Sequence, residues 1–150
     1  MFRPGTDNLP LYPMGEEPAW LNKLDANERP GLLPPAIRNE ISSRLRRIES
    51  TRYPDMGAPQ LRQLLADAYH VTAEQVLVGN GSSELIATAC ATFGGPGRAI
   101  VYQWPSFSMY PVYAAMAESP AIAAPLGNDF TLSPAVVLET VRQANAKLLI

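Results

Sequence analysis

From Val76 to Ile150 the chain alternates short β-forming runs with helical apolar patterns, and this alternation restricts the fold more than any other feature. The β-forming runs are "VLVG", "RAIVY", "AIAAP" and "KLLI". Between them lie a helical stretch from about Ser83 to Phe93, a second around "FSMYPVYAAMA", and a third for which Ser133 and Pro134 supply the cap and the first residue. Strands separated by helices pair in parallel through right-handed crossovers, because only that path returns a twisted strand onto its own sheet. The predicted class is therefore α/β, a mostly parallel sheet with covering helices. With 47% of its 150 residues apolar, the chain has the material for a sizeable core.

Upstream the signals change. Residues 1–35 hold many of the prolines and little periodicity, which predicts an extended arm lying on other structure. Pro34 and Pro35 suit the first turn of a helix, and Ile37, Ile41, Leu45 and Ile48 then share one face at helical spacing. After the turn-rich "RYPDMGAP", Leu61, Leu64, Leu65 and Ala68 repeat the pattern. Thr72, with Gln75 three residues later, marks one more short helical turn. The chain divides into an arm over residues 1–35 and an α/β unit over residues 36–150, with no internal repeat.

Bulk chemistry narrows the function. The 12 basic and 14 acidic residues form no long run of one sign, so neither nucleic acid nor an anionic membrane is an expected partner. No apolar run approaches the ~20 residues that span a bilayer, and the N-terminus lacks a basic segment leading into an apolar one. A cytoplasmic chain is expected. Cys90, the only cysteine, falls among apolar residues of a predicted helix and reads as a buried, reduced thiol. His70, the only histidine, reads as an end-of-helix residue, and no metal cluster is expected. The closing "NAKLLI" rises into an apolar run, as in a chain cut at a strand.

The junction "GNGSSE" carries the most chemistry. A helix N-terminus presents unpaired backbone N–H groups and the positive end of the helix dipole, so it binds phosphate or carboxylate. Gly79 and Gly81 permit a tight turn and close approach, Asn80 tolerates left-handed backbone, and Ser82 and Ser83 add hydroxyls. The spacing matches neither a Walker loop nor a dinucleotide fingerprint. Serine and glycine are also ordinary caps, so the motif alone leaves a structural reading open. In "WPSFSMYPVY", Phe107, Tyr110 and Tyr113 are spaced as a packing stripe, yet they follow a strand end, where ligands of parallel sheets lie. One loop can hold a phosphate while the other offers an aromatic face. "KLDANERP" and "STRYPD" read singly as polar turns.

Taken in order, "KLDANERPGLLPPAI", "TRYPD", "LRQLLADAYHVTAEQVLVGNGSSELI" and "PSFSMY" resemble the histidinol-phosphate aminotransferases, pyridoxal-phosphate enzymes of the fold type I superfamily. The resemblance runs from about Leu9 to Ile150. It implies an N-terminal arm followed by the first part of a fold type I cofactor-binding domain. It also implies that Ser82 and Ser83, with Gly81, meet the phosphate of pyridoxal 5'-phosphate mainly through backbone amides. Where this chain has Ser83 the family usually has an acidic residue. By the same resemblance Phe107 stacks on the pyridine ring, and Tyr53 reaches the cofactor phosphate of the partner subunit in a homodimer. Asn27 matches an asparagine near the substrate carboxylate, Tyr12 an arm tyrosine over the substrate pocket, and Glu28 is a weaker candidate.

The implied activity is transfer of an amino group between glutamate and imidazole-acetol phosphate in histidine biosynthesis. The cofactor supplies the carbanion chemistry, and the family's lysine, aspartate and substrate arginines complete it. Those motifs do not occur within these residues. Lys23 and Lys147 match none of them and read as surface side chains, so no residue here is assigned a catalytic step and a chain of this extent is expected to be inactive alone. Two other readings stay open: a threonine-phosphate decarboxylase, which shares the architecture and a phosphorylated substrate, and a non-catalytic module that binds a phosphorylated metabolite or dimerises through its arm. An α/β unit without its later strands is expected to associate in isolation.

Overall fold

The computed structural model describes Leu24 and residues 27–150. Most of the expected arm, including Tyr12 and Lys23, lies outside the described residues. Pro34 caps and Pro35 opens α1 (Pro35–Leu45), as the fixed φ of proline favours. The next helix, α2 (Pro59–Tyr69), also opens on a proline. It ends at His70, whose φ of 55° turns the chain so that the Val71 N–H reaches the Ala66 carbonyl at 3.0 Å. A 3-10 turn, Ala73–Gln75, follows with the Thr72 and Gln75 capping box that the sequence predicts.

The remaining elements are α3 (Ser82–Phe93), β1 (Ile100–Trp104), α4 (Tyr110–Met116), β2 (Ala121–Pro125), α5 (Pro134–Gln143) and β3 (Leu148–Leu149). The sheet has the order β2-β1-β3 with both pairings parallel. Ile100 stands between Ala121 and Leu148, and these three meet Cys90 of α3 and Ala114 of α4 on one face. Because successive strand residues point to opposite faces, Val101 joins Ala124 and Val137 of α5 on the other. Helices thus cover both faces, and Ile100, Val101 and Tyr102 are buried in succession, as a central parallel strand requires.

The turn from α3 into β1 is tight. A Cβ on Gly94 would overlap the Ser119 hydroxyl and stand 3.0 Å from Ile100 Cδ1, and that hydroxyl accepts the Gly95 N–H at 2.7 Å. The end of α3 is therefore held against the start of β1.

Three expectations are corrected. Val76 is extended (φ −109°, ψ 122°), but residues 76–79 join no ladder among the described residues, so "VLVG" is not a strand here. β propensity sets a backbone conformation, whereas a strand also needs a neighbour. The fourth helix starts at Tyr110, which leaves Phe107 in the turn before it. Finally, α1 buries no residue: Ile37, Ile41 and Leu45 are exposed, as is Ile48 beyond its end.

Candidate functional site

Gly81 caps α3 with φ 84° and ψ 170°, a conformation that penalises any side chain, and its N–H turns back to the Gly79 carbonyl at 2.9 Å. The Asn80 N–H donates to the carboxylate of Glu84, which folds back over the start of the helix. That packing is close at position 79, where a Cβ would stand 2.8 Å from Glu84 Oε2 and 2.9 Å from Leu85 Cδ2, so any larger residue must move those side-chain ends. A Cβ at Gly81 would meet nothing within 4 Å. There the backbone demands glycine, and the space beside it is open. Gly81, Ser82 and Ser83 are exposed, and no side chain caps the helix. First-turn N–H groups without intrahelical acceptors, beside an open glycine, suit a compact oxyanion such as a phosphate monoester. Glu84 engages only the Asn80 donor, which leaves the amides of Ser82 and Ser83 for such a group.

An aromatic row follows β1. Tyr102 meets Trp104 edge-on with ring centroids 6.4 Å apart, Tyr110 lies 6.5 Å from Tyr102, and Phe107 meets Tyr110 edge-on at 5.4 Å. Tyr110 and Tyr113 are half-buried, so the stripe does pack, while Phe107 at its end is 38% exposed. Ile86 and Cys90 of α3 pack on the cluster that holds Ile100 and Leu148, and Gly94 beyond them lies at the start of β1, so the first turn of α3 lies toward the end where the parallel strands finish. The bend and the aromatic turn thus share the carboxyl end of the sheet, where open α/β folds hold ligands.

Of the other expected site residues, Tyr12 lies outside the described residues, and no hydrogen bond or ring contact among the described residues links Tyr53 or Asn27 to the bend or to Phe107. Tyr53 is 97% exposed in the turns before α2 and has no hydrogen-bond or ring partner among the described residues. Asn27 is exposed with a left-handed φ of 52°. Lys147 is exposed and donates to Asn145 Oδ1 at 3.0 Å, a surface role as expected. Cys90 is fully buried, and burial pushes its thiol above the ordinary value, so it is the inert core thiol the sequence suggests.

Two residues at the site escaped the sequence reading. Glu84 had a local signal, since an acidic residue three places after a helix cap folds back onto the residues before it. Arg62 had none. From near the start of α2 its Nε donates to the Ala73 carbonyl at 2.9 Å and the Val76 carbonyl at 3.0 Å, and a second guanidinium nitrogen also reaches Ala73. Its partners lie 11 and 14 residues on, beyond any helical spacing. Beside it, the Glu74 carboxyl is held below the ordinary value by a backbone hydrogen bond and by the Thr72 side chain, with Arg62 a smaller influence.

With this geometry in place, the chain matches the aminotransferase class I and II family over residues 21–150. It belongs to that family. Among curated class I and II relatives, the histidinol-phosphate aminotransferase of Pyrococcus furiosus is 40% identical over 123 residues, which cover 82% of this chain and 36% of the relative. That of Thermococcus gammatolerans is 38% identical, covering 81% and 35%, and that of Desulfitobacterium hafniense is 35% identical, covering 99% and 42%. The chain thus spans well under half the length of these relatives. Among solved structures, the α-aminoadipate aminotransferase of Thermus thermophilus, complexed with N-(5'-phosphopyridoxyl)-L-leucine, superposes with a TM-score of 0.63 at 19% identity, covering 77% of this chain and 31% of that one. The L-threonine-O-3-phosphate decarboxylase of Porphyromonas gingivalis does so with a TM-score of 0.57 at 20% identity, covering 76% and 43%. At such identities the likeness is one of fold, the aminotransferase α/β fold expected from the motifs. No helix among the described residues is long and apolar enough to cross a membrane.

Proposed function

We propose that this chain forms the phosphate-holding and ring-facing part of a pyridoxal-phosphate aminotransferase site. The protein to which it belongs then exchanges an amino group between histidinol phosphate and 2-oxoglutarate in histidine biosynthesis, in the cytoplasm. One observation carries the reading: the open Gly79–Ser83 bend, with left-handed glycine at the cap and uncapped amides behind it, set at the sheet end that also bears Phe107. The names of the curated relatives support the substrate pair.

In this reading the amides of Ser82 and Ser83 bind the cofactor phosphate, and the Phe107 ring lies against the pyridine and excludes water from one face. Tyr53, almost wholly exposed, donates its hydroxyl to the cofactor phosphate of a second copy in a homodimer. Asn27 orients the substrate carboxylate, with Tyr12 above it. When bound, the cofactor supplies the electron sink for the amino transfer. The threonine-phosphate decarboxylase reading draws on shared fold alone.

Titration of the chain with pyridoxal phosphate and with pyridoxal, followed by amide resonances, tests the phosphate site. The phosphorylated form is expected to shift the amides of Gly81 to Glu84, pyridoxal to leave them unmoved, and Gly81→Val to weaken the effect about tenfold through left-handed strain. Equal responses to both ligands would overturn the reading. Carbon dioxide released from threonine phosphate by the whole enzyme, without amino transfer to 2-oxoglutarate, would favour the decarboxylase.

A further inference from the structure

We infer that Arg62 is a positioning residue for the anion-binding bend, acting from α2 through two backbone carbonyls and never touching the ligand. The residues that deliver the bend, 76–79, have no strand ladder to hold them among the described residues. Something else must fix where Gly79 begins. On the helix side the constraint is Glu84 on the Asn80 N–H and the close packing of Gly79 against Leu85. Arg62 supplies the constraint on the other side. Its half-buried guanidinium ties Ala73, the first residue of the 3-10 turn, to Val76, the residue just after it and three before Gly79.

The anchor lies in an ordered helix. Its helix is seated by the fully buried Ala66 and closed by the Val71 to Ala66 hydrogen bond. The chosen side chain also fits the task, because a planar guanidinium addresses two fixed carbonyls at once and an ammonium on a flexible stem does not. Loss of the fork leaves two carbonyls without their charged donor and frees the path of residues 76–79. Amides that must converge on a phosphate are then no longer held in one geometry.

The inference deepens the proposed cofactor reading, and its test is arranged so that the two fail separately. Hydrogen exchange of the ligand-free chain is compared for wild type, Arg62→Met and Arg62→Lys. Arg62→Met is expected to speed exchange at Val78 to Ser83 about tenfold, the loss of one charged hydrogen bond, while Ile100 to Tyr102 stay within about twofold. Arg62→Lys should fall between the two, since it keeps charge and loses the fork. Exchange at the bend unchanged in Arg62→Met would overturn the inference. So would a uniform rise that includes β1, which would make Arg62 a contributor to global stability only. In the second arm, Arg62→Met should weaken the phosphate-specific response to pyridoxal phosphate by a similar factor. A wild type that shows no phosphate-specific response sinks the cofactor reading, and the ligand-free comparison still decides the role of Arg62.

Discussion

The helices α1 and α3 are almost the same length, 11 and 12 residues, and both enter on residues suited to a helix start. Their fates differ. In α3 Cys90 is fully buried and Ile86 packs on the cluster around Ile100 and Ala114, whereas α1 has no buried residue and leaves Ile37, Ile41 and Leu45 exposed. Helices shorter than ~12–15 residues are marginal alone in water, so α3 draws its stability from the sheet. The described residues give α1 no such source. Helical spacing identifies the face that should be covered; it does not supply the cover.

The largest expected effect separates the two directly. Ile100→Ala removes a fully buried side chain from the central strand and should cost about 2–5 kcal/mol, enough to unfold much of the sheet unit. Ile41→Ala should change stability by no more than about 0.5 kcal/mol, since that side chain is exposed. Urea unfolding of both variants measures the difference. Comparable losses would mean that another surface covers α1 in solution, as self-association of an uncovered apolar face would produce.

The same contrast explains what the sequence made legible. Prolines 35 and 134 mark helix starts because fixed φ and a missing donor act within one residue, and the Thr72 box acts within four, whereas Pro59, read within the turn-rich "RYPDMGAP", opens α2. From α3 onward the order of strands and helices, and the open glycine bend, were legible for the same reason, being local chemistry repeated along the chain. "VLVG" failed as a strand because a ladder depends on a neighbour that no local pattern specifies. Arg62 was illegible because its carbonyl partners come into reach only after α2 turns at His70. Phe107 was legible as an aromatic after a strand, but its place outside α4 depends on where the bend at residues 105–106 releases the chain.

A smaller effect tests how well α3 is sealed. Burial raises the Cys90 pKa above its unfolded value, so the neutral thiol is the form the core accepts. The associated stability is fully present below the ordinary thiol value, about 8.5, and is lost as the pH climbs through the raised folded value. Native chain should therefore react slowly with a thiol reagent at pH 8 and rapidly in urea, and Cys90→Ser should cost about 1–3 kcal/mol by burying a hydroxyl. Native labelling as fast as that of unfolded chain would show that α3 opens as freely as α1.

The smallest effect belongs to α1 itself. Glu40 and Arg44, one turn apart, form an ion pair at 2.7 Å, with both side chains mostly in solvent. The acid precedes the base, the favourable order on a helix, but water screens the attraction and both side chains lose rotamer freedom to make it. Glu40→Gln should lower the stability of α1 by about 0.3–0.5 kcal/mol at low salt, visible as faster amide exchange in that helix alone. The difference should nearly vanish at 1 M salt, where the screening length is about 3 Å. A loss above about 1 kcal/mol that persists in high salt would require the pair to be shielded from water. In that case the exposed face of α1 would be covered in solution, and the contrast with α3 would be one of partner rather than of burial.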